Sequence, residues 1–273
     1  MARRSIVRAS AAESLLHGRL WLTQVWANAL LFALFVVWLL IPAASGWYIT
    51  LNVVVALAIV TSAIVLYGGT LNYFHDIERD RAARLKPAFL RALRHALAIA
   101  VCAAAFYFAW MLMNRADAYQ DSLPAYLRSM MPVFVRQRVT LAFLTSVFSW
   151  ISFAARYIAI PALLLPFTLS TSDLGFRGFL RAGFRAWTSA VTRFTYWLGL
   201  AVAAVIGVLA TQAMVGWTPD FTTSTFKREA FSLAGRLICA SALGIWAWLF
   251  ACSVVARASA ASDSGAAASG IRP

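Results

Sequence analysis

"VTLAFLTSVFSWISFAARYIAIPALLLPFTL", residues 139–169, is apolar throughout apart from hydroxyl side chains and one cation, Arg156. As a helix it would rise about 47 Å at 1.5 Å per residue, well beyond the roughly 30 Å hydrocarbon layer of a bilayer. Such a run reads as a membrane span. Five more stretches have the same character, at 21–44, 48–74, 93–113, 194–217 and 233–256. Of the 273 residues, 62% are hydrophobic and 12% charged, whereas a soluble domain carries about 25% charged residues. The expected fold is all-α: a polytopic bundle of six transmembrane helices with amphipathic helices at the interfaces. It forms one domain over residues 1–257. Residues 258–273 are small and polar without periodicity, and are expected to be a disordered tail.

The net charge of +14 does not point to nucleic acid, because the cations sit in short segments flanking the spans and leave no polar domain to form a groove. Sixteen Lys and Arg residues fall on the side holding the termini, the 75–94 segment and the 170–193 loop, and seven on the other. That bias predicts a multi-pass protein of the cell (inner) membrane with both termini in the cytoplasm. The first apolar run, at about 24 residues, exceeds a signal-peptide core of 7 to 15 and is read as a retained helix. Cys102, Cys239 and Cys252 lie inside spans at no metal-ligand or disulfide spacing.

Two loops on the arginine-rich side share a pattern, AFLRALRHAL at 88–97 and GFLRAGFRAW at 178–187. On a helical wheel Leu85, Phe89, Leu93 and Ala96 oppose Arg84, Arg91 and Arg94. In the second copy Phe176, Leu180, Phe184, Trp187 and Val191 gather beside a row of Arg177, Arg181 and Arg185. These six arginines are expected to contact anionic lipid headgroups from helices lying on the leaflet. On the opposite side Leu123, Tyr126, Leu127, Met130, Met131, Phe134 and Val135 form a third amphipathic stripe, broken by Pro132.

No HExxH, GxSxG or phosphate-loop pattern occurs, so no catalytic, metal-ligating or cofactor-binding residue is assigned, and no cofactor is expected. "NYFHDIERDR", residues 72–81, clusters His75, Asp76, Glu78 and Asp80 and is read as a solvated helix exit balancing nearby arginines. Gly199, Ala203 and Gly207, followed by Thr211, recur every four residues, a small-residue seam that lets helices approach closely. Its partner is either the bundle itself or a second membrane protein, a homodimer included.

Arg156 poses the sharpest question, since a cation at mid-bilayer costs about 2.5 to 3.5 kcal/mol on insertion scales. No carboxylate falls within the six apolar runs. Pro161 and Pro166, however, withdraw the N–H groups that would bond the carbonyls of Tyr157 and Ala162. The face bearing Ser149, Ser152 and Arg156 is expected to point inward. There Arg156 would meet freed carbonyls, an amide such as Asn52 or Gln212, or water. The alternative is that it snorkels to the cytoplasmic surface.

The order Arg156, Tyr157, Pro161, then the arginine-rich "FLRAGFRAWTSAVTRFTYWLGL", resembles a group of bacterial six-helix membrane proteins. It includes the membrane domain found beside glycerophosphodiester phosphodiesterases and related families of unknown function. Phe184 and Arg185 stand where that pattern has Trp-Arg, and Pro166 stands near its acidic position. The resemblance covers about residues 150–200 and implies the six-helix fold; with no phosphodiesterase domain in this chain, no catalysis follows. The expected role is a non-catalytic membrane scaffold or accessory subunit, and the alternative is a small permease or channel for an anionic or lipid-like solute.

Overall fold

A computed structural model describes residues 6–42, 46–79, 83–177, 182–217 and 226–268. The chain is 91% helical, without strands among the described residues, so backbone polar groups are satisfied inside helices, as a hydrocarbon medium demands. Six helices are long and apolar enough to cross a membrane: Gly18–Leu40, Gly46–Glu78, Ala96–Asp117, Leu141–Leu174, Phe194–Gly216 and Lys227–Ala260. The expected six-helix bundle is thus present, with the spans in the expected order.

The fourth span is continuous but not uniform. Leu141–Ala154 is α-helical, Ala155–Ala159 forms a π-turn, and Ile160–Leu174 resumes the α-helix. Pro161 is the cause. With no N–H at that position, the ladder reaches back one residue further, and the Ile160 N–H donates to the Ala155 carbonyl. Pro166 leaves the Ala162 carbonyl without its i+4 donor, and the fully buried hydroxyl of Tyr196 donates to it at 2.8 Å. The freed carbonyl therefore binds the fifth span and not Arg156. Gly175 ends this helix at φ 66°, a backbone angle that favours glycine, and a β-carbon there would lie 2.7 Å from His95 Nδ1.

The small-residue seam is occupied within the chain. A β-carbon on Gly199 would lie 2.8 Å from Val254, and one on Gly207 2.8 Å from Ala247, both on the sixth span. Ala203 is buried in the same core. Gly199 and Gly207 thus serve close packing of the fifth span on the sixth, with Ala203 in the same core.

Among the described residues, five shorter helices flank the bundle. Leu85–Arg94 packs on the second span through Ala88 and Ala92, with Leu90 and Leu93 exposed. Gly183–Val191 packs on the fourth and sixth spans through Gly183, Ala186 and Ala190, while Phe184 faces outward. Small residues let the helix axes approach, and Leu85, Phe89 and Val191 pack on the core beside them, Phe89 lying against Gly69, while Leu90, Leu93 and Phe184 are left for the surroundings. The helix Ile6–Leu16, which no sequence pattern announced, lies against the sixth span with Ser10 and Ser14 buried. The amphipathic stripe forms Ser122–Met130 and Val133–Arg136, separated at Pro132.

The sixth helix runs on as Phe226–Ala268, so residues 258–268 are helical where a disordered tail was expected. Ala258 and Ser259 are buried, the alanine-rich sequence being a strong helix former once its start is packed. Burial concentrates at one end of the molecule: Leu66 to Asp76, Ala162 to Ser172 and Ala247 to Ser259 supply much of the core. Towards the other end, side chains such as Phe32, Ile49, Val53, Leu112 and Ile238 face outward.

Candidate functional site

The tightly packed end carries a charge cluster. At the last turns of the second span, Asn72, His75 and Asp76 are buried, although the sequence placed them in a solvated exit. Arg91, from the flanking helix Leu85–Arg94, donates to Asp76 and, at 2.9 Å, to Asp173 at the end of the fourth span. His75 and Arg79 each approach Asp173 at 3.7 Å. Asn72 donates to the carbonyls of Ser172 at 3.1 Å and Ala88 at 3.3 Å, and accepts from the Ser172 hydroxyl at 2.7 Å. One guanidinium with a fork of donors thus holds two carboxylates on different spans.

A second knot lies beside it. Arg257 of the sixth helix donates to Glu78 at 2.6 Å and to Glu13 of the N-terminal helix at 2.7 Å, and Ser253 donates to Glu13 at 2.9 Å. Together the two knots tie the N-terminal helix, the second, fourth and sixth spans and one flanking helix into a single plate. A cavity of about 90 Å³ opens beside it, with His75, Arg79, Asp173 and Arg185 in its wall.

Arg91 was expected among the headgroup-facing arginines, and the structure turns it inward. Arg84, Arg94, Arg177 and Arg185 are exposed. Arg181 lies outside the described residues.

Arg156 sits at the other end of the bundle. It pairs with Asp117, the last residue of the third span, and its guanidinium stacks 4.7 Å from the Trp110 ring centroid. The Ser152 hydroxyl donates to the same carboxylate at 2.6 Å. Ser152 and Arg156 thus do point towards the third span, whereas Ser149 is exposed, and the partner is a carboxylate that the sequence placed in a loop. A third span of 22 residues rises about 33 Å, roughly one hydrocarbon thickness. Its first residue follows the flanking helix at the arginine-rich end, so Asp117 and Arg156 lie at the arginine-poor interface, opposite the surface to which snorkelling was expected. Gln120 donates to Ser149 at 2.7 Å, and residues 141–149 accordingly lie alongside the loop. Neither Asn52 nor Gln212 bonds to Arg156. Asn52 is half-buried with its Oδ1 lacking a donor among the described residues, and Gln212 is exposed.

Among the described residues, no group of three or more His, Cys, Asp or Glu side chains is arranged to hold a metal ion. The arrangement serves two physical purposes: pairing buried charges, and tying helix ends together. Fold and clusters define a six-span, all-helical membrane protein. No known protein family, curated protein or solved structure matches the chain.

Proposed function

We propose that the chain is a non-catalytic scaffold or accessory subunit of the inner membrane, with both termini in the cytoplasm and its flanking helices resting on anionic headgroups. One observation carries this reading: Arg156, the single cation within the fourth span, is paired with Asp117, whose carboxylate also accepts from Ser152, and stacks on Trp110. A passage for anions would need that guanidinium facing a polar route. The ion-paired plate at the arginine-rich end supports a rigid platform in the same way, and exposed Arg84, Arg94, Arg177 and Arg185 supply the surface charge. A membrane domain that serves a separate partner also fits the resemblance seen around residues 150–200.

Two experiments test it. Fusions after Arg84, Arg185 and Ser259 should report a cytoplasmic location, and those after Asp121 and Thr223 a periplasmic one; reversal at two of these sites overturns the orientation. Vesicles reconstituted with the protein should release chloride and inorganic phosphate no faster than protein-free vesicles. A saturable efflux that disappears in Arg156→Leu would establish the permease reading instead.

A further inference from the structure

A chain of uncharged polar side chains runs into the bundle between the first, second and sixth spans. Gln24 and Asn28 lie 6 and 10 residues into the first span, about 9 and 15 Å from its arginine-rich end. Gln24 Nε2 donates to Thr70 Oγ1 at 2.5 Å, and the Thr70 hydroxyl donates to the Leu66 carbonyl at 2.7 Å. Asn28 Nδ2 donates to the carbonyl and to Oε1 of Gln24, at 2.8 and 3.2 Å, and the Tyr67 hydroxyl donates to Asn28 Oδ1 at 3.0 Å. These bonds do not exhaust the groups. Among the described residues, one N–H of Gln24, the lone pairs of the Tyr67 oxygen and the Ser241 hydroxyl remain, and the buried indole N–H of Trp248 has no acceptor.

These residues surround a space of about 240 Å³, walled by Gln24, Asn28, Tyr67, Ser241, Gly244 and Trp248. Tyr67 and Trp248, whose rings meet edge to face at 5.2 Å, also wall a second space of about 680 Å³. That cleft lies between the second, third, fourth and sixth spans and is almost wholly apolar, with Ile64, Ile99, Phe106 and Leu165 in its lining. Among the described residues, no Asp, Glu, Lys, Arg or His side chain lines either space.

We propose that the two spaces form one site for a neutral, membrane-soluble lipid with a hydroxyl head, of the long-chain alcohol class. The hydroxyl sits in the smaller space and the chain in the cleft. The remaining donors and acceptors match a group that both gives and accepts a hydrogen bond. Unmet polar groups at this depth are costly, and such a head would satisfy them. A phospholipid head is excluded by the same physics, since its phosphate would be stripped of water with no cation beside it. The site is independent of the scaffold reading, which concerns Arg156 and the arginine-rich surface.

The test is photo-crosslinking of the full-length protein in phosphatidylcholine vesicles with a diazirine-bearing hexadecanol, the adducts being mapped by mass spectrometry. Adducts are expected within residues 59–71 and 241–248. Gly244→Leu places a side chain in the smaller space, where a β-carbon meets nothing within 4 Å, and should cut labelling about tenfold with the melting temperature unchanged. Asn28→Leu, which removes the polar anchor without filling the space, should do the same and carries the test if Gly244→Leu does not fold. Labelling that persists in a folded variant overturns the proposal. So does a diazirine phosphatidylcholine that labels the same peptides with the same sensitivity, because bulk lipid would then fill the cleft.

Discussion

Arg156 and Asp117 clamp the fourth span to the last residue of the third, and the clamp sits at the arginine-poor interface. The membrane-embedded part of the fourth span is therefore the stretch after Arg156. From Tyr157 to Leu174 it rises about 27 Å, close to the thickness of the hydrocarbon layer. An arginine that looks stranded in an apolar run is in effect an interfacial residue with its own counter-ion.

That placement predicts which side can reach the start of the fourth helix. Ser149→Cys, made in a chain also carrying Cys239→Ser, should react with a membrane-impermeant maleimide added on the side where a fusion after Asp121 is exposed. Protection from both sides would put residue 149 in hydrocarbon and refute the assignment.

The arginines of the flanking helix should separate into two kinds. Arg91 holds two buried carboxylates, and removing one partner of a buried pair costs about 3 to 5 kcal/mol. Arg91→Gln is therefore expected to lower the melting temperature sharply or prevent folding. Arg84→Gln and Arg94→Gln, at exposed positions, should change stability by about 0.5 kcal/mol or less. The readout is thermal unfolding in detergent, and equal losses at all three positions would contradict the assignment.

Tyr196 and Pro166 should be coupled. Tyr196→Phe leaves the Ala162 carbonyl without its donor, a loss of about 1 to 3 kcal/mol for a buried acceptor. Pro166→Ala returns an N–H to the helix ladder and a partner to that carbonyl. In the Pro166→Ala background Tyr196→Phe should cost markedly less. An equal cost in both backgrounds would show that the hydroxyl serves something else.

The six spans were legible because length and apolar composition are one-dimensional properties. The inward placement of Ser152 and Arg156 was legible from spacing, and the freed Ala162 carbonyl from Pro166. What escaped depends on how far helix ends overlap. Asp76, Asp117 and Asp173 lie near the last residues of apolar runs, so in sequence they look like loop acids. Only the relative height of neighbouring helices brings Asp117 beside Arg156, or Arg91 between Asp76 and Asp173. On the flanking helices, Ala88, Ala92, Ala186 and Ala190 take the closest contacts beside Leu85, Phe89 and Val191, a choice that depends on which span lies next to them. The polar chain from Thr70 to Tyr67 was divided between two spans, and its amides and hydroxyls looked like scattered exceptions.

The most direct test of the account is a charge exchange between Arg156 and Asp117, followed by thermal unfolding. Each single reversal, Arg156→Asp and Asp117→Arg, places like charges together and should destabilise the protein by about 1 to 3 kcal/mol, the side chains being partly exposed. The double exchange should recover most of that loss, because coupled neighbours do not add. Losses that simply sum in the double variant would show that the two residues do not hold each other, and the structural role assigned to Arg156 would fall.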